Sequence, residues 1–103
     1  MSKIAIIAKL PVQPGKADEF VAAFSTMFPV VADEPGTEVY ALHRDAKDDH
    51  LFYVYEVYAD RAALDAHGGS DGMKSAMAAF GPLLAEGVEL IRMEPIQAEG
   101  IAL

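Results

Sequence analysis

The chain has 103 residues, 52% of them hydrophobic, a formal net charge of -8 and no cysteine. That size fits one hydrophobic core in a single domain over residues 1–103, and the missing thiols exclude disulfides, thiolate nucleophiles and sulfur-ligated metals. The charge opposes nucleic-acid backbones and anionic lipid, and no apolar run nears the ~20 residues of a membrane span, so a cytoplasmic protein without nucleic-acid or membrane partners is expected.

Ile4 to Leu10 is a short apolar run with β-branched residues, interrupted by Lys9 and closed by Pro11. It predicts a first strand, partly buried on both faces. Pro14-Gly15 turns the chain. From Lys16 the apolar residues Phe20, Phe24, Met27, Phe28 and Val31 recur at helical spacing, and Asp18 and Glu19 fall in the first turn, where the helix dipole favours acids. Pro29 inside that pattern would cost a continuous helix ~3 kcal/mol or more, so a kink or a re-started final turn is expected there. Glu34-Pro35-Gly36 makes the turn that ends it.

Thr37 to Asp45 and Leu51 to Tyr58 predict two strands joined by the polar loop Ala46-Lys47-Asp48-Asp49-His50, an antiparallel hairpin. With His43 opposite Tyr53, one face carries Glu38, Tyr40, Leu42, Arg44, Phe52, Val54, Glu56 and Tyr58. The other carries Val39, Ala41, His43, Tyr53, Tyr55 and Val57. A one-residue slip would exchange the faces, and the loop length does not fix the register. Both faces are rich in apolar and aromatic groups, which requires helices on one side and a second cover on the other. For so short a chain the simplest cover is a second copy of itself.

Asp60 can cap a short helix through His67, ended by Gly68-Gly69. Ser70 can cap the next, with Met73, Met77, Phe80 and Leu84 along one side and a break at Gly81-Pro82. Val88 to Met93 is a last strand ended by Pro95, and the tail from about 96 to 103 keeps Ile101 and Leu103 for contact with a second subunit. The order β-α-β-β-α-β is the ferredoxin-like split pattern of an α+β domain.

Pro14-Gly15-Lys16 with Glu19-Phe20, Glu34-Pro35-Gly36-Thr37, Tyr40 with Leu42-His43-Arg44-Asp45, then Phe52, Tyr55-Glu56, Tyr58, Asp60, Ala63-Leu64 and His67 form an ordered series. The series resembles the antibiotic biosynthesis monooxygenase domain family, including its quinol monooxygenase type. The resemblance implies a dimeric α+β barrel, in which the sheets of a homodimer pack together with the helices outside. It also implies a small-molecule pocket between sheet and helices in each subunit, and oxidation of small phenolic or quinol-like aromatic substrates by dioxygen without a metal or flavin cofactor. Heme-degrading relatives set a tryptophan against the porphyrin, and this chain has none. Many relatives carry a second histidine just after the position of Ser70, where this chain has Asp71-Gly72-Met73.

His67 and Glu56 are the candidate catalytic residues. His67 follows Leu64 by three positions and shares its inward helix face. As a neutral imidazole it could take the proton of a phenol or quinol, leaving an electron-rich anion that reacts with dioxygen. Its structural alternative is to cap carbonyls or bond the hairpin. Glu56, an acid in the apolar middle of a strand, needs a partner or a raised pKa. It could hold His67 in one tautomer, act as the base, or pair structurally with Arg44, Arg92 or a tyrosine hydroxyl. Tyr40 and Tyr58 share its face and could orient a substrate oxygen. Phe24, Phe52, Met73 and Met77 could line a site for a flat aromatic ligand or simply fill the core.

His43 belongs to the opposite face in this register and His50 to the loop. No two histidines stand at i, i+4, so no zinc site is expected. Nor does the sequence hold a Gly-rich phosphate loop, a serine elbow or a dinucleotide fingerprint. Two readings follow: a cofactor-independent monooxygenase of small aromatic substrates, or a non-catalytic dimeric binding or stress-related protein on the same scaffold.

Overall fold

In the computed structural model, which describes residues 2–103, the chain begins with strand β1 (Ile4–Pro11) and helices α1 (Ala17–Phe24) and α2 (Met27–Ala32). The hairpin strands β2 (Thr37–Arg44) and β3 (Leu51–Tyr58) follow, then helices α3 (Arg61–Gly68) and α4 (Asp71–Phe80), a 3-10 turn at Gly81–Leu83, and strand β4 (Glu89–Met93). The expected β-α-β-β-α-β order holds, with each helical segment divided in two. The strands form one antiparallel sheet in the order β2-β3-β1-β4. This is the ferredoxin-like arrangement, in which β1 and β2 run parallel with β3 between them.

The first helical segment breaks just before Pro29. α1 stops at Phe24, where Ser25 Oγ donates to the Val21 carbonyl at 2.7 Å and Thr26 Oγ1 to the Ala23 carbonyl at 2.8 Å. These hydroxyls add second bonds to carbonyls of the last turn that already accept the Ser25 and Thr26 N–H groups. α2 restarts at Met27, so Pro29 sits in its first turn, where a missing N–H breaks no helical bond. The later helices start where the sequence predicts. Asp60 accepts from the Ala63 N–H at 2.8 Å and Ser70 Oγ from the Met73 N–H at 3.1 Å, caps that contribute ~1 kcal/mol each.

His43 pairs with Tyr53, so of the registers the loop length allows the hairpin adopts the one that sets Glu56 and Tyr40 on one face. Phe52, Val54, Glu56 and Tyr58 are buried, and β1 adds Leu10, Ala8, Ile6 and Ile4 to the same face as their cross-strand partners. Glu38 departs from the expected face. The register shifts between Thr37 and Val39, and this bulge turns Glu38 to the other side, where it pairs with Lys3.

The helices cover the face of Phe52 and Val54. Phe20 of α1 is completely buried, its ring 4.8 Å from Phe52, 5.6 Å from Phe24 and 5.7 Å from Phe80. Truncating such a ring to alanine costs ~3–5 kcal/mol. The opposite face carries Ile7, Val39, Tyr53, Tyr55, Ile91 and Met93, with no helix over it among the described residues. Tail residues Gly100, Ile101 and Ala102 lie beside Lys3, Glu38 and Val39 at that face. β4 is an edge strand, exposed along its length. No helix of the described residues is long and apolar enough to cross a membrane.

Candidate active site

The aromatic cluster fills the space between sheet and helices around Phe20 and Phe52, but not the part toward β4. There β1 and β3 present Ile6, Ala8 and Val54, and α3 and the Met73 to Phe80 side of α4 stand opposite them. A cavity of about 450 Å³ results, within the range of small-molecule sites. Ile6, Ala8, Val54 and Leu90 line its sheet side, and Leu64, Met73, Met77 and Phe80 its helix side. Tyr40, Glu56, His67 and Phe24 also line it, as does Arg92 on the β4 edge. Leu90, 56% exposed, marks the open side.

His67, in the last turn of α3, is 5% exposed. Its Nδ1 lies 2.8 Å from Glu34 Oε1, which also accepts from Thr37 Oγ1 at 2.7 Å. A carboxylate can only accept, so Nδ1 carries the hydrogen, and in the neutral form of the imidazole Nε2 is then the nitrogen with the lone pair. The rings of Tyr40 and Tyr58 flank the imidazole at 5.4 Å and 5.3 Å between centroids. Glu34 Oε2 is buried without a hydrogen-bond partner.

The turn between α2 and β2 is what brings Glu34 to His67. The Thr37 N–H donates to the Glu34 carbonyl at 3.2 Å, and the Ala59 N–H donates to the Gly36 carbonyl at 2.9 Å. α3 sits directly on this turn. A Cβ on Gly36 would lie 2.3 Å from Ala63 Cβ, so the approach requires a residue with no side chain.

Glu56, 7% exposed, lies in the middle of β3 and accepts the Tyr58 hydroxyl on Oε1 at 2.5 Å. Burial pushes the Glu56 carboxyl above its ordinary 4.5, while the bond from Tyr58 and the nearby His67 pull it down. Burial, then the bond to Glu56 and its charge, pushes the Tyr58 hydroxyl well above the usual tyrosine range. Burial also raises Tyr40, helped by the charges of Glu56 and Glu34. Both tyrosines are therefore neutral hydrogen-bond donors. Tyr40 is the cross-strand neighbour of Glu56 and stacks on Phe24 at 6.0 Å.

Of the residues singled out from sequence, His67, Glu56, Tyr40, Phe24, Met73 and Met77 meet at the cavity, and Leu64 points inward as its spacing predicts. Tyr58 lies outside the cavity wall, against Glu56 and His67. Phe52 belongs to the aromatic core against Phe20, with the Arg44 guanidinium 5.1 Å over its ring. Arg44 is thus turned to Phe52, and the partner of Glu56 is a tyrosine hydroxyl. Of the alternatives for Glu56, holding His67 through Nδ1 is not the one seen, because the Glu34 carboxylate occupies that nitrogen.

Sequence reasoning assigned Glu34 only to a turn and so missed it. The signal available was an acid ahead of Pro35-Gly36, where a glycine allows another element to close in. Among the described residues no group of three His, Cys, Asp or Glu side chains could hold a metal ion.

The family model described as antibiotic biosynthesis monooxygenase matches residues 3–79. A solved structure from Caulobacter crescentus, assigned to the antibiotic biosynthesis monooxygenases, is 38% identical over 93% of this chain and 92% of that one, with a TM-score of 0.88. Rv0793 from Mycobacterium tuberculosis is 29% identical, covering 94% and 97% of the two chains, with a TM-score of 0.85. The uncharacterized protein sll1783 of Synechocystis is 36% identical over 64 residues, 62% of this chain but 44% of that longer protein. The family match over most of the chain, joined to the ferredoxin-like sheet, shows that this chain belongs to the antibiotic biosynthesis monooxygenase family.

Proposed function

We propose that the chain is a cofactor-independent monooxygenase that oxidises a small phenolic or quinol-like aromatic substrate with dioxygen. The observation that carries this reading is the bond between Glu34 and His67 beside an apolar cavity. In the neutral imidazole it leaves Nε2 as the proton acceptor beside a mainly apolar cavity that suits a flat ring.

The substrate hydroxyl gives its proton to His67 Nε2, and Glu34 supports the imidazolium charge. The aryloxide passes electrons to dioxygen, and a C–O bond forms at a ring carbon that bears hydrogen. The resulting peroxide takes the proton back from His67 and loses water to leave a carbonyl. One oxygen atom stays in the product. The other leaves as water with one hydrogen from the substrate hydroxyl and one from the C–H, so the substrate supplies all the electrons. Tyr40, a neutral donor, orients the substrate oxygen, and Glu56, held by Tyr58, receives a second polar group of the substrate.

The reading includes a homodimer. The sheet face without helices carries Tyr53, Tyr55 and the 44%-exposed Ile91, with the tail at its edge, and a second copy would cover it. A species that sediments as a monomer at micromolar concentration would rule this out.

Dioxygen uptake with a reduced naphthoquinol or an anthrone tests the catalytic reading. The wild type is expected to exceed the spontaneous rate, and His67→Ala to lose about 100-fold or more, the scale of general base catalysis. Uptake independent of the protein would leave the second reading, a binding protein on the same scaffold.

A further inference from the structure

One row of residues crosses the cavity side of the sheet from β2 to β4. Tyr40 pairs with Glu56, Glu56 with Ile6, and Ile6 with Arg92. Neighbouring strands are ~4.8 Å apart, so the Glu56 and Arg92 backbones stand about 10 Å from each other. Between them the floor is apolar, made by Ile6 with Ala8 and Leu90 beside it. The cavity therefore has His67, Glu56 and Tyr40 toward one end of the row and a guanidinium at the other.

Among the described residues Arg92 is the only Lys or Arg that lines the cavity, and none of the ion pairs among them involves it. Asp65, the other charged residue of the cavity rim, is bonded to Arg61 at 3.0 Å. A guanidinium presents paired donors that match the two oxygens of a carboxylate. At the mouth of an apolar cavity, it selects for a ligand that brings the anion itself.

We infer that the site takes a hydroxyaryl carboxylate, its carboxylate on Arg92 and its hydroxyl at His67. This rests on the reading of the cavity as the substrate site, and adds the class of substrate. A two-ring skeleton with the groups at opposite ends spans the row, whereas the same skeleton without the acid leaves Arg92 unanswered.

Binding of 6-hydroxy-2-naphthoate and of 2-naphthol, followed by ligand fluorescence under nitrogen, separates the contributions. In the wild type the acid is expected to bind about 10-fold or more tighter than the naphthol, the scale of one charge-assisted contact. Arg92→Gln should abolish that preference and leave naphthol affinity unchanged within about twofold. Arg92 is exposed on an edge strand, so the variant is expected to fold. Equal binding of the two ligands by the wild type, no binding of either, or an equal loss of both in Arg92→Gln would overturn the inference. An Arg92-dependent preference for the acid, with no dioxygen uptake on any quinol, would leave the inference standing and remove the monooxygenase reading. Dioxygen uptake without that preference would do the reverse.

Discussion

Replacing Glu34 by glutamine keeps an oxygen that His67 Nδ1 can reach but removes the negative charge behind it. The pair is close, 2.8 Å, and shielded, with side-chain exposures of 6% for His67 and 17% for Glu34. Two unit charges ~4 Å apart at an effective dielectric of ~20 interact by about 4 kcal/mol. The imidazolium is about half formed when the substrate proton is in flight, so roughly half of this, ~2 kcal/mol, is lost from the transition state. That corresponds to a fall of about 30-fold in kcat. Glu34 is not part of the cavity lining, so KM should stay where it is. Steady-state dioxygen uptake of Glu34→Gln, with urea unfolding to confirm that the variant is folded, measures both. A kcat within about twofold of wild type, or a raised KM at unchanged kcat, would refute the assignment of Glu34 as the residue that supports His67.

Burial holds the Glu56 carboxyl above its ordinary 4.5, so the folded state binds this proton more tightly than the unfolded chain. Its stabilising effect is full below pH 4.5 and is lost as pH rises through the raised value. Glu56→Gln should therefore gain stability relative to wild type between pH 4 and pH 8, read from urea midpoints; a constant difference would contradict this. Gly36→Ala drives a Cβ to 2.3 Å from Ala63 Cβ and should cost ~1–3 kcal/mol, seen as a lower Tm, with part recovered in the double variant carrying Ala63→Gly. The same variant should lower kcat by lifting α3, and with it His67, off Glu34. Asp60→Ala removes the cap on the Ala63 N–H and should cost ~0.5–2 kcal/mol in chemical denaturation.

Much of this fold could be read from local signals. The two hairpin strands were legible, but their register was not, because both faces are apolar and the loop length allows a slip; the pairing of His43 with Tyr53 is what the fold adopts. Asp60 and Ser70 were legible because capping acts within three residues. The helix break was legible in kind but not in place, since Pro29 announced it while the back-bonding hydroxyls of Ser25 and Thr26 set it. Glu38 was misplaced because a bulge leaves no trace in the alternation of neighbouring residues.

The site was half legible. His67 and Glu56 stood out as polar groups in apolar patterns, and both are buried. Their partners did not follow, because a hydrogen bond across 33 residues depends on how α3 docks on the turn at Gly36. Phe52 looked like a pocket residue because its strand position shares a face with Glu56. The ring of Phe20 and the Arg44 guanidinium pack on it instead, away from the cavity lining.

In the proposed reaction the cavity beside His67 transfers one atom of dioxygen to an aromatic ring without outside reductant. Turnover of a quinol or anthrone under ¹⁸O₂, with mass spectrometry of product and water, tests it most directly. The account predicts one labelled oxygen in each product molecule and the other in water, with the reaction lost in His67→Ala. Product oxygen drawn from unlabelled solvent, or labelling undiminished in His67→Ala, would contradict it.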